Sequence, residues 1–291
     1  MKYLFIINPK SGARHPIPQI MDQIKYIFDK SPEHEYEIVY SRYAGHARVL
    51  AEQAIKNKFD MVVAAGGDGT VNEVCSALVN SKTSFGLIPM GSGNGFARSM
   101  GIPLKYKNAI DRLIDGLIQK IDVGRINDHY FFGIAGFSFD ALIGAKFGTF
   151  NHRGPLPYFY IGLREFFNYE YEEFELTFDD KRLVVNPLIL TIANTSQYGN
   201  GAAIAPQADC SDGFFDICII NKMNLKDGVF KLHYLFNNKI QQLSGYQSYR
   251  TNKLKIIRKN GSGFYHLDGE TFNDSSSFEI EVLPGALSVC S

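Results

Sequence analysis

The sequence lacks the features that mark several common classes of protein. Its formal net charge is zero, because 30 basic residues balance 30 acidic ones, so the composition does not predict nucleic-acid binding. Its four cysteines form no Cys-x-x-Cys pair and show no zinc-type spacing with the histidines. No apolar run reaches the roughly 18 residues that a transmembrane helix needs. The amino-terminal run Lys2–Ile7 is also too short for a signal peptide. We therefore expect a cytosolic protein with reduced thiols.

Two glycine clusters each follow a short apolar run. Met61–Ala65 leads into Gly66–Thr70, and Phe85–Met90 leads into Gly91–Gly95. Each junction is typical of a strand, a tight turn and a helix. Glycine permits φ > 0 and close approach of a ligand, and the amides at a helix N-terminus favour phosphate. Neither cluster has the spacing of a P-loop or of a dinucleotide fingerprint. The two glycine clusters together predict a polyphosphate site, although glycines also occur in tight strand-to-helix turns that bind no ligand.

The first part of the chain alternates between strand and helix patterns. Strand-like runs at Lys2–Ile7, Glu35–Ser41 and Met61–Ala65 enclose helical patterns at Ile17–Phe28 and Gly45–Ala54. This alternation predicts a parallel sheet with right-handed crossovers. Ligands of such sheets bind at the carboxyl ends of the strands. The special turns at Asn8, Ser41, Gly66 and Gly91 all follow strands, so we expect one binding site at that edge.

The pattern changes after Ile121–Gly124. Strand-like runs then dominate, at Tyr130–Ile134, Phe174–Phe178, Leu183–Ala193, Phe214–Ile220, Lys253–Arg258 and Ser277–Leu283. Such runs, mostly separated by turns, indicate an antiparallel sheet or sandwich. The sequence therefore predicts two domains, a nucleotide-binding α/β domain over residues 1–122 and a β-rich domain over residues 123–291.

Four motifs carry a resemblance to a known family. They are Asn8–Gly12, Gly66–Glu73, Pro89–Asn94 and His266–Glu270. In this order they resemble the diacylglycerol kinase catalytic-domain family, the lipid kinases that include bacterial diacylglycerol kinases, sphingosine kinases and ceramide kinases. The resemblance implies an ATP- and Mg²⁺-dependent enzyme that transfers the γ-phosphoryl group to a lipid hydroxyl. It implies a doubly wound, Rossmann-like N-terminal domain and a C-terminal antiparallel β-sandwich, with the active site in the cleft between domains.

The resemblance also implies where ATP would bind. The nucleotide-binding residues would be Asn8, Ser11, Gly12, Arg14, Ser41, Gly66, Gly67, Asp68, Gly69, Thr70, Val71, Asn72, Glu73, Gly91, Ser92, Gly93 and Asn94. For Arg14, a solvated loop arginine is an equally ordinary interpretation. Because the lipid acceptor resides in a membrane and the chain has no predicted span, we expect peripheral contact with the inner face of the membrane.

Several carboxylates are candidates for metal and acceptor binding. Asp68 and Asp122 match the family's catalytic metal network, although either could simply form a cap or a turn. The loop with Asp209, Asp212 and Phe214 resembles the family's structural Mg²⁺ site, in which Asp212 and backbone carbonyls are ligands, and oxygen ligands suit this hard cation. Its Ser-Asp and Asp-Gly pairs are equally typical of an ordinary turn. Asp140 matches a position that faces the lipid head group in sphingosine kinases, with a helix cap as its alternative.

Phosphoryl transfer depends mainly on positioning and charge neutralisation, with a base directed at the acceptor hydroxyl. Glu270 is the first choice for that general base, and Asp68 is the second.

One departure from the family leaves other functions open. Bacterial diacylglycerol kinases usually carry an aspartate where this chain has Gly95. An NAD kinase shares the Gly-Gly-Asp-Gly turn, and a catalytically silent nucleotide- or lipid-binding module is a second alternative. The sequence does not identify the acceptor lipid, the preferred nucleotide or the oligomeric state, which could be a homodimer.

Overall fold

The computed structural model describes residues 1–11, 17–148, 162, 164–166, 168–224, 233–259, 261 and 263–291. The chain forms two compact units, Met1–Val123 together with Pro284–Ser291, and Gly124–Leu283. The sequence prediction assigned all of residues 123–291 to the second domain. The structure instead places Pro284–Ser291 in the first unit, because the last strand of the chain ends beside a strand of that unit.

The first unit alternates strands and helices. Its strands are β1 (Lys2–Ile7), β2 (Glu35–Tyr40), β3 (Met61–Gly66) and β4 (Ser84–Pro89), and its helices are α1 (Ile17–Phe28), α2 (His46–Lys56), α3 (Asp68–Leu78), α4 (Gly95–Ser99) and α5 (Tyr106–Asp115). The strands lie in the order β2-β1-β3-β4 and pair in parallel. The predicted doubly wound α/β fold is confirmed.

Burial explains why these residues form this sheet. β3 and β4 are buried at every position, whereas β2 is partly exposed. The helix α1 buries Ile20, Ile24 and Phe28, which recur at helical spacing. Fully burying an aliphatic or aromatic side chain contributes about 1.5–3 kcal/mol. The apolar pattern of these elements therefore fixes which face of each one meets the core.

The second unit is dominated by strands. They are β5 (Ile118–Ile126), β6 (His129–Phe131), β7 (Ile134–Gly136), β8 (Phe174–Phe178), β9 (Lys181–Val185), β10 (Ile189–Ala193), β11 (Phe215–Ile220), β12 (Tyr246–Thr251), β13 (Lys253–Arg258), β14 (Tyr265–Leu267), β15 (Glu270–Phe272) and β16 (Ser277–Cys290), of which β5 and β16 each extend into the first unit. The helices are α6 (Phe139–Gly148) and the short α7 (His233–Phe236), with a 3₁₀ turn at Ile240–Gln242.

These strands form the predicted antiparallel sandwich. One layer has the order β16-β13-β8-β9, and the other has the order β12-β11-β10-β7-β14-β15. Neighbouring strands in both layers are antiparallel. A shared core joins the layers, with Phe174, Leu176 and Ile256 from one and Leu190 and Ile217 from the other.

The prediction of individual strands was wrong at several places. The run Leu183–Ala193 is two strands, β9 and β10, which end and begin on either side of Pro187. Proline lacks the N–H that a continuous ladder needs. The predicted run Tyr130–Ile134 covers β6 and only the start of β7. The strands β5, β12, β14 and β15 were not predicted, and β14 and β15 are too short for their periodicity to be recognised. Within the described part of the chain, no helix is long and apolar enough to cross a membrane.

Candidate functional site

The two glycine turns of the first unit touch each other. β3 and β4 are neighbours with Gly66 opposite Pro89, and the Met90 N–H donates to the Gly66 carbonyl at 2.8 Å. A Cβ added to Gly91 would lie 2.9 Å from the Gly67 Cα, and one added to Gly67 would lie 3.3 Å from the Gly91 Cα. The turns therefore pack backbone against backbone at the carboxyl ends of two strands.

The expectation that these glycines adopt φ > 0 is wrong. Gly67 has φ −94°, and no left-handed φ is found at the other described glycines of the two clusters, Gly66, Gly69, Gly91 and Gly93. The left-handed residue is Asn94, with φ 49°. Glycine is required at positions 67 and 91 because the facing turn leaves little room for a Cβ.

The loop after β1 is joined to the start of α3. The Asn8 side-chain amide donates to Thr70 Oγ1 at 2.9 Å, and the Gly67 N–H donates to Ser11 Oγ at 3.2 Å. These bonds bring two of the predicted motifs together at one edge of the sheet. Gly12 and Arg14, both predicted to bind nucleotide, lie outside the described residues.

Glu73 holds the loop after β2. Its carboxylate oxygens accept hydrogen bonds from the Gly45 N–H at 2.8 Å and the Ala47 N–H at 3.0 Å. Gly45 is the N-cap of α2 and has no side chain, so Glu73 supplies the acceptors that a capping side chain would provide. Ser41 begins this loop and is buried. The nucleotide roles of Ser41 and Glu73 stay predictions.

Asn94 holds the second glycine turn. Its side-chain oxygen accepts from the Gly91 N–H, and its side-chain amide donates to the Gly91 carbonyl, both at 2.8 Å. Ser92 at the tip of the same turn is exposed. In α3, Val71 is buried, whereas Asn72 is partly buried and its side-chain oxygen accepts from Ser76 Oγ at 3.3 Å.

Asp68 is the first residue of α3 and is partly buried. A Cβ added to Gly93 would lie 3.3 Å from Asp68 Oδ2, so this carboxylate lies beside the second glycine turn. Such an oxygen donor next to backbone amides fits a divalent cation that neutralises phosphate charge. Asp122 is buried, and its Oδ1 accepts the Gly285 N–H at 2.8 Å. Asp122 thus joins β5 to the returning end of the chain.

The loop proposed for a structural cation, Asp209–Phe214, is paired with an arginine of β12. Asp212 Oδ2 forms an ion pair with Arg250, and Asp212 Oδ1 accepts the Phe214 N–H at 3.0 Å. Asp209 Oδ1 accepts from the backbone and side chain of Ser211. In the part of the chain that the structure describes, no group of three or more His, Cys, Asp or Glu residues could hold a metal ion. Arg250 therefore already neutralises Asp212 in this structure, and the metal-binding roles of Asp209, Asp212 and Phe214 stay predictions.

Asp268 is a residue whose role the sequence interpretation missed. Its Oδ2 accepts the Phe132 N–H at 2.8 Å, and its Oδ1 accepts the Gly133 and Ile134 N–H groups at 2.8 and 2.9 Å. This carboxylate therefore holds the turn between β14 and β15. Glu270, the first residue of β15, is exposed just after that turn. The only signal for this role in the sequence was the place of Asp268 within the His266–Glu270 motif.

Asp140 lies near the start of α6 and is buried. Its carboxylate accepts hydrogen bonds from the N–H groups of Ser138 and Ala141, and its Oδ2 lies 3.1 and 3.0 Å from the hydroxyls of Thr191 and Tyr198. Asp140 is the second residue of α6 and not the residue before it, although its carboxylate accepts an N–H of the first turn, and its other partners lie far away in the sequence. Its predicted contact with a lipid head group stays a prediction.

Comparison with known proteins identifies relatives of both units. The diacylglycerol kinase catalytic domain matches residues 2–126, and the YegS C-terminal NAD kinase beta sandwich-like domain matches residues 133–291. A diacylglycerol kinase of Bacillus subtilis is 32% identical in an alignment of 231 residues that covers 76% of this chain and 74% of that protein. A protein of Pectobacterium atrosepticum named "Probable lipid kinase YegS-like" is 28% identical over 98% of this chain and 94% of its own length.

A solved structure supports the same fold. The crystal structure of a diacylglycerol kinase from Bacillus anthracis matches with a TM-score of 0.77 and 20% identity, covering 99% of this chain and 96% of that one. Fold and family matches together define a lipid kinase, a phosphotransferase that uses ATP and acts on a lipid hydroxyl. The chain belongs to the diacylglycerol kinase family. The NAD kinase alternative is not supported, because the catalytic part matches the diacylglycerol kinase domain.

Proposed function

We propose that this lipid kinase transfers the γ-phosphoryl group of Mg²⁺·ATP to diacylglycerol at a membrane surface. The observation that carries the proposal is the backbone contact between the Gly67 and Gly91 turns at the start of α3. Two adjoining turns and a helix N-terminus present amides to a polyphosphate. The relatives named diacylglycerol kinase support the choice of acceptor.

The nucleotide residues have separate roles in this proposal. The two glycine turns and the start of α3 would bind phosphate through backbone amides other than those of Gly67 and Gly91, which donate to Ser11 and Asn94. Asn8 and Ser11 fix the neighbouring loop. Asp68 would hold the Mg²⁺ ion, which neutralises the charge of the phosphates. The N-terminus of a helix carries a partial positive charge and favours anions such as phosphate. A protein with no net positive charge can therefore still bind ATP at this position.

Glu270 is the proposed general base. It is exposed at the start of β15, and the three amides bound to Asp268 fix the turn that carries it. A fixed carboxylate can take the proton from the acceptor hydroxyl as the phosphoryl group arrives, a contribution of about 10² to 10⁴-fold. Peripheral contact with the membrane brings the acceptor to this residue.

Incubation with labelled ATP tests the activity. The pure protein is given vesicles containing diacylglycerol, sphingosine or ceramide and, separately, NAD⁺. We expect a labelled product from diacylglycerol and none from NAD⁺. No labelled lipid from any acceptor would favour the silent binding module and contradict the proposal.

Two variants separate the roles of the carboxylates. Asp68→Asn is expected to weaken Mg²⁺·ATP binding, because it removes a metal-binding charge. Glu270→Gln is expected to lower turnover by about 10² to 10⁴-fold while nucleotide affinity is retained. Calorimetry measures the affinity, and product formation measures the turnover. The reverse pattern would transfer the base role to Asp68.

A further inference from the structure

Arg98 of α4 lies beside the second glycine turn. Its backbone N–H donates to the Asn94 carbonyl at 3.1 Å, as in a regular helix. Helical side chains lean towards the N-terminus of their helix. The Arg98 side chain does so, because its Nε–H donates to the Gly93 carbonyl at 3.2 Å. The guanidinium group is therefore held at the turn that precedes α4.

The hydrogen bond to Gly93 leaves most of this guanidinium group unused. A guanidinium has five N–H donors, and the bond to the Gly93 carbonyl takes one of them. Among the described residues, no carboxylate forms an ion pair with Arg98, which is exposed. Arg48, an exposed arginine on another helix of the same unit, instead pairs with Glu52 at 3.2 Å. The two terminal amino groups of Arg98 are therefore available to an anionic ligand.

The carboxylate of Asp68 approaches the same residue of the turn. A Cβ added to Gly93 would lie 3.3 Å from Asp68 Oδ2. In the proposed function Asp68 holds the Mg²⁺ ion, and in phosphoryl transfer such an ion bridges the β- and γ-phosphates of ATP. Arg98 and Asp68 thus both lie against Gly93. The phosphates nearest to Arg98 would then be the terminal ones, where the reaction takes place.

We infer that Arg98 binds the terminal phosphates of ATP through its two amino groups and stabilises the negative charge of the γ-phosphoryl group during transfer. The planar guanidinium matches phosphate oxygens with two parallel hydrogen bonds, and cations in this position lower the barrier to phosphoryl transfer. The inference rests on the proposed kinase function. It adds a residue that the motifs did not assign to the nucleotide.

Arg98 forms and breaks no covalent bond in this step. The acceptor oxygen forms a bond to the γ-phosphorus, and the bond from that phosphorus to the bridging oxygen breaks, so that ADP leaves. The proton of the acceptor hydroxyl goes to Glu270, the proposed base. Arg98 contributes only hydrogen bonds and positive charge.

Nucleotide binding by the intact protein tests the inference. Arg98→Gln removes the positive charge but keeps a side chain that can donate to the Gly93 carbonyl. Calorimetry measures the affinities for ATP and AMP, both with Mg²⁺ and with EDTA. We expect ATP affinity to fall about tenfold, the value of one charge-assisted hydrogen bond, and AMP affinity to stay unchanged because AMP lacks the terminal phosphates. The loss should persist in EDTA, because Arg98 does not act through the metal.

Kinetics with diacylglycerol vesicles separates binding from stabilisation of the transferred group. An arginine that bound only the ground state would change KM for ATP and leave kcat unaltered. We expect Arg98→Gln to lower kcat by about tenfold or more as well. Arg98→Lys keeps the charge without the planar fork, so it should recover part of the lost ATP affinity and kcat.

Arg112→Gln is the matched control, because it removes the same charge from an exposed arginine of the same unit. Arg112 lies in the last turn of α5. The carbonyl of its neighbour Leu113 accepts from the hydroxyl of Tyr3, which lies at the beginning of β1. Arg112 is therefore at the edge of the parallel sheet opposite to the glycine turns. Its replacement should leave ATP affinity and kcat unchanged.

The outcomes separate this inference from the proposed function. Absence of labelled product from every lipid with the wild-type protein would contradict the kinase function, while the ATP affinities would still decide whether Arg98 binds phosphate. ATP affinity of folded Arg98→Gln equal to that of Arg112→Gln would overturn the inference. An equal loss of affinity for ATP and AMP would also overturn it, because Arg98 would then only hold the turn. Thermal unfolding establishes that each variant is folded, and Arg98→Lys supplies the test if Arg98→Gln does not fold.

Discussion

At the scale of single residues, Gly67 and Gly91 are required for the space that they leave. A Cβ on Gly91 would lie 2.9 Å from the Gly67 Cα, and a Cβ on Gly67 would lie 3.3 Å from the Gly91 Cα. The sequence indicated glycines at a ligand site and suggested φ > 0 and close approach of a ligand as their reasons, but it did not indicate that the two turns approach each other. A glycine at a close approach and a glycine in a left-handed turn look the same in a sequence. Only the contact between the turns distinguishes them.

Gly91→Ala tests the close approach. The new Cβ would lie 2.9 Å from the Gly67 Cα and 2.8 Å from Asn94 Oδ1, so the turn must shift. We expect a loss of about 1–3 kcal/mol in the free energy of unfolding together with weakened ATP binding. Thermal unfolding and calorimetry measure the two effects.

Gly69→Ala is the matched control for this prediction. Gly69 lies in the first turn of α3, and a Cβ there would meet nothing within 4 Å. Its free energy of unfolding should not fall, because alanine is favoured over glycine in a helix by about 1 kcal/mol. Equal stability of Gly91→Ala and the wild-type protein would refute the packing argument.

Two polar residues that were predicted to bind nucleotide make contacts within the protein. Glu73 and Asn94 were predicted to bind nucleotide, and both use their side chains to hold backbone loops. Motif resemblance identifies positions that matter, but it does not say whether a side chain contacts the ligand or the loop that does. The hydrogen-bond partners of Glu73 and Asn94 become known only in the folded chain.

At the scale of elements, an arginine of β12 neutralises an aspartate of the loop before β11. The Arg250 guanidinium pairs with Asp212 and lies 5.0 Å from the centre of the Phe214 ring. We expect removal of divalent cations with EDTA to leave the unfolding temperature of the ligand-free protein unchanged. Arg250→Gln should lower the unfolding temperature, because Asp212 then has no cationic partner. Added Mg²⁺ should raise the unfolding temperature of this variant again by taking the place of Arg250.

Arg125→Gln is the comparison for this prediction. Arg125 forms a similar half-exposed ion pair with Glu281 in the second unit, away from this loop in the sequence. The unfolding temperature of the Arg125→Gln variant should not depend on Mg²⁺. A drop in the unfolding temperature of the wild-type protein on EDTA treatment would instead support a structural cation at Asp209–Phe214.

The strand β8 carries a carboxylate that links stability to pH. Glu175 pairs with Arg182 on β9 and with Lys259 just after β13, and hydrogen bonds from both lower its pKa from 4.5 to about 2. Because the folded pKa is depressed, the stabilisation is fully present above about pH 4.5 and is lost as the pH falls towards 2. Glu175→Gln should therefore flatten the acid side of the stability profile.

Denaturant unfolding between pH 2 and pH 6 measures this effect. Glu279→Gln is the control, because Glu279 is exposed and lies 3.7 Å from its partner Lys255. An acid profile of Glu175→Gln that overlays the wild-type profile would show that the pairs of Glu175 add no pH-dependent stability.

At the scale of the whole molecule, the end of the chain completes the first unit. Val289 pairs with Phe85 of β4, and Leu287 and Val289 are buried. The Asn80 N–H donates to the Ala286 carbonyl at 2.7 Å. The first unit therefore consists of two segments that are far apart in the sequence.

A fragment of residues 1–123 is accordingly expected not to fold by itself, because it exposes one edge of β4 and the apolar surface that Leu287 and Val289 cover. The same fragment joined by a Gly-Ser linker to residues 284–291 should unfold cooperatively. Circular dichroism during heating compares the two. Cooperative unfolding of residues 1–123 alone, at the temperature of the linked form, would show that the final strand is dispensable.

The sequence by itself determined the order of strands and helices in the first unit, the edge at which its turns gather, and the family. These features are local, since apolar periodicity, turn residues and short motifs act over a few neighbouring positions. Only the tertiary structure decided that Gly67 and Gly91 touch, that Asp140 lies beside Thr191, Tyr198 and His266, and that the chain end returns to the first unit. Those contacts join residues distant in sequence, whose partners are set by sheet order and by the requirement that buried polar groups be satisfied.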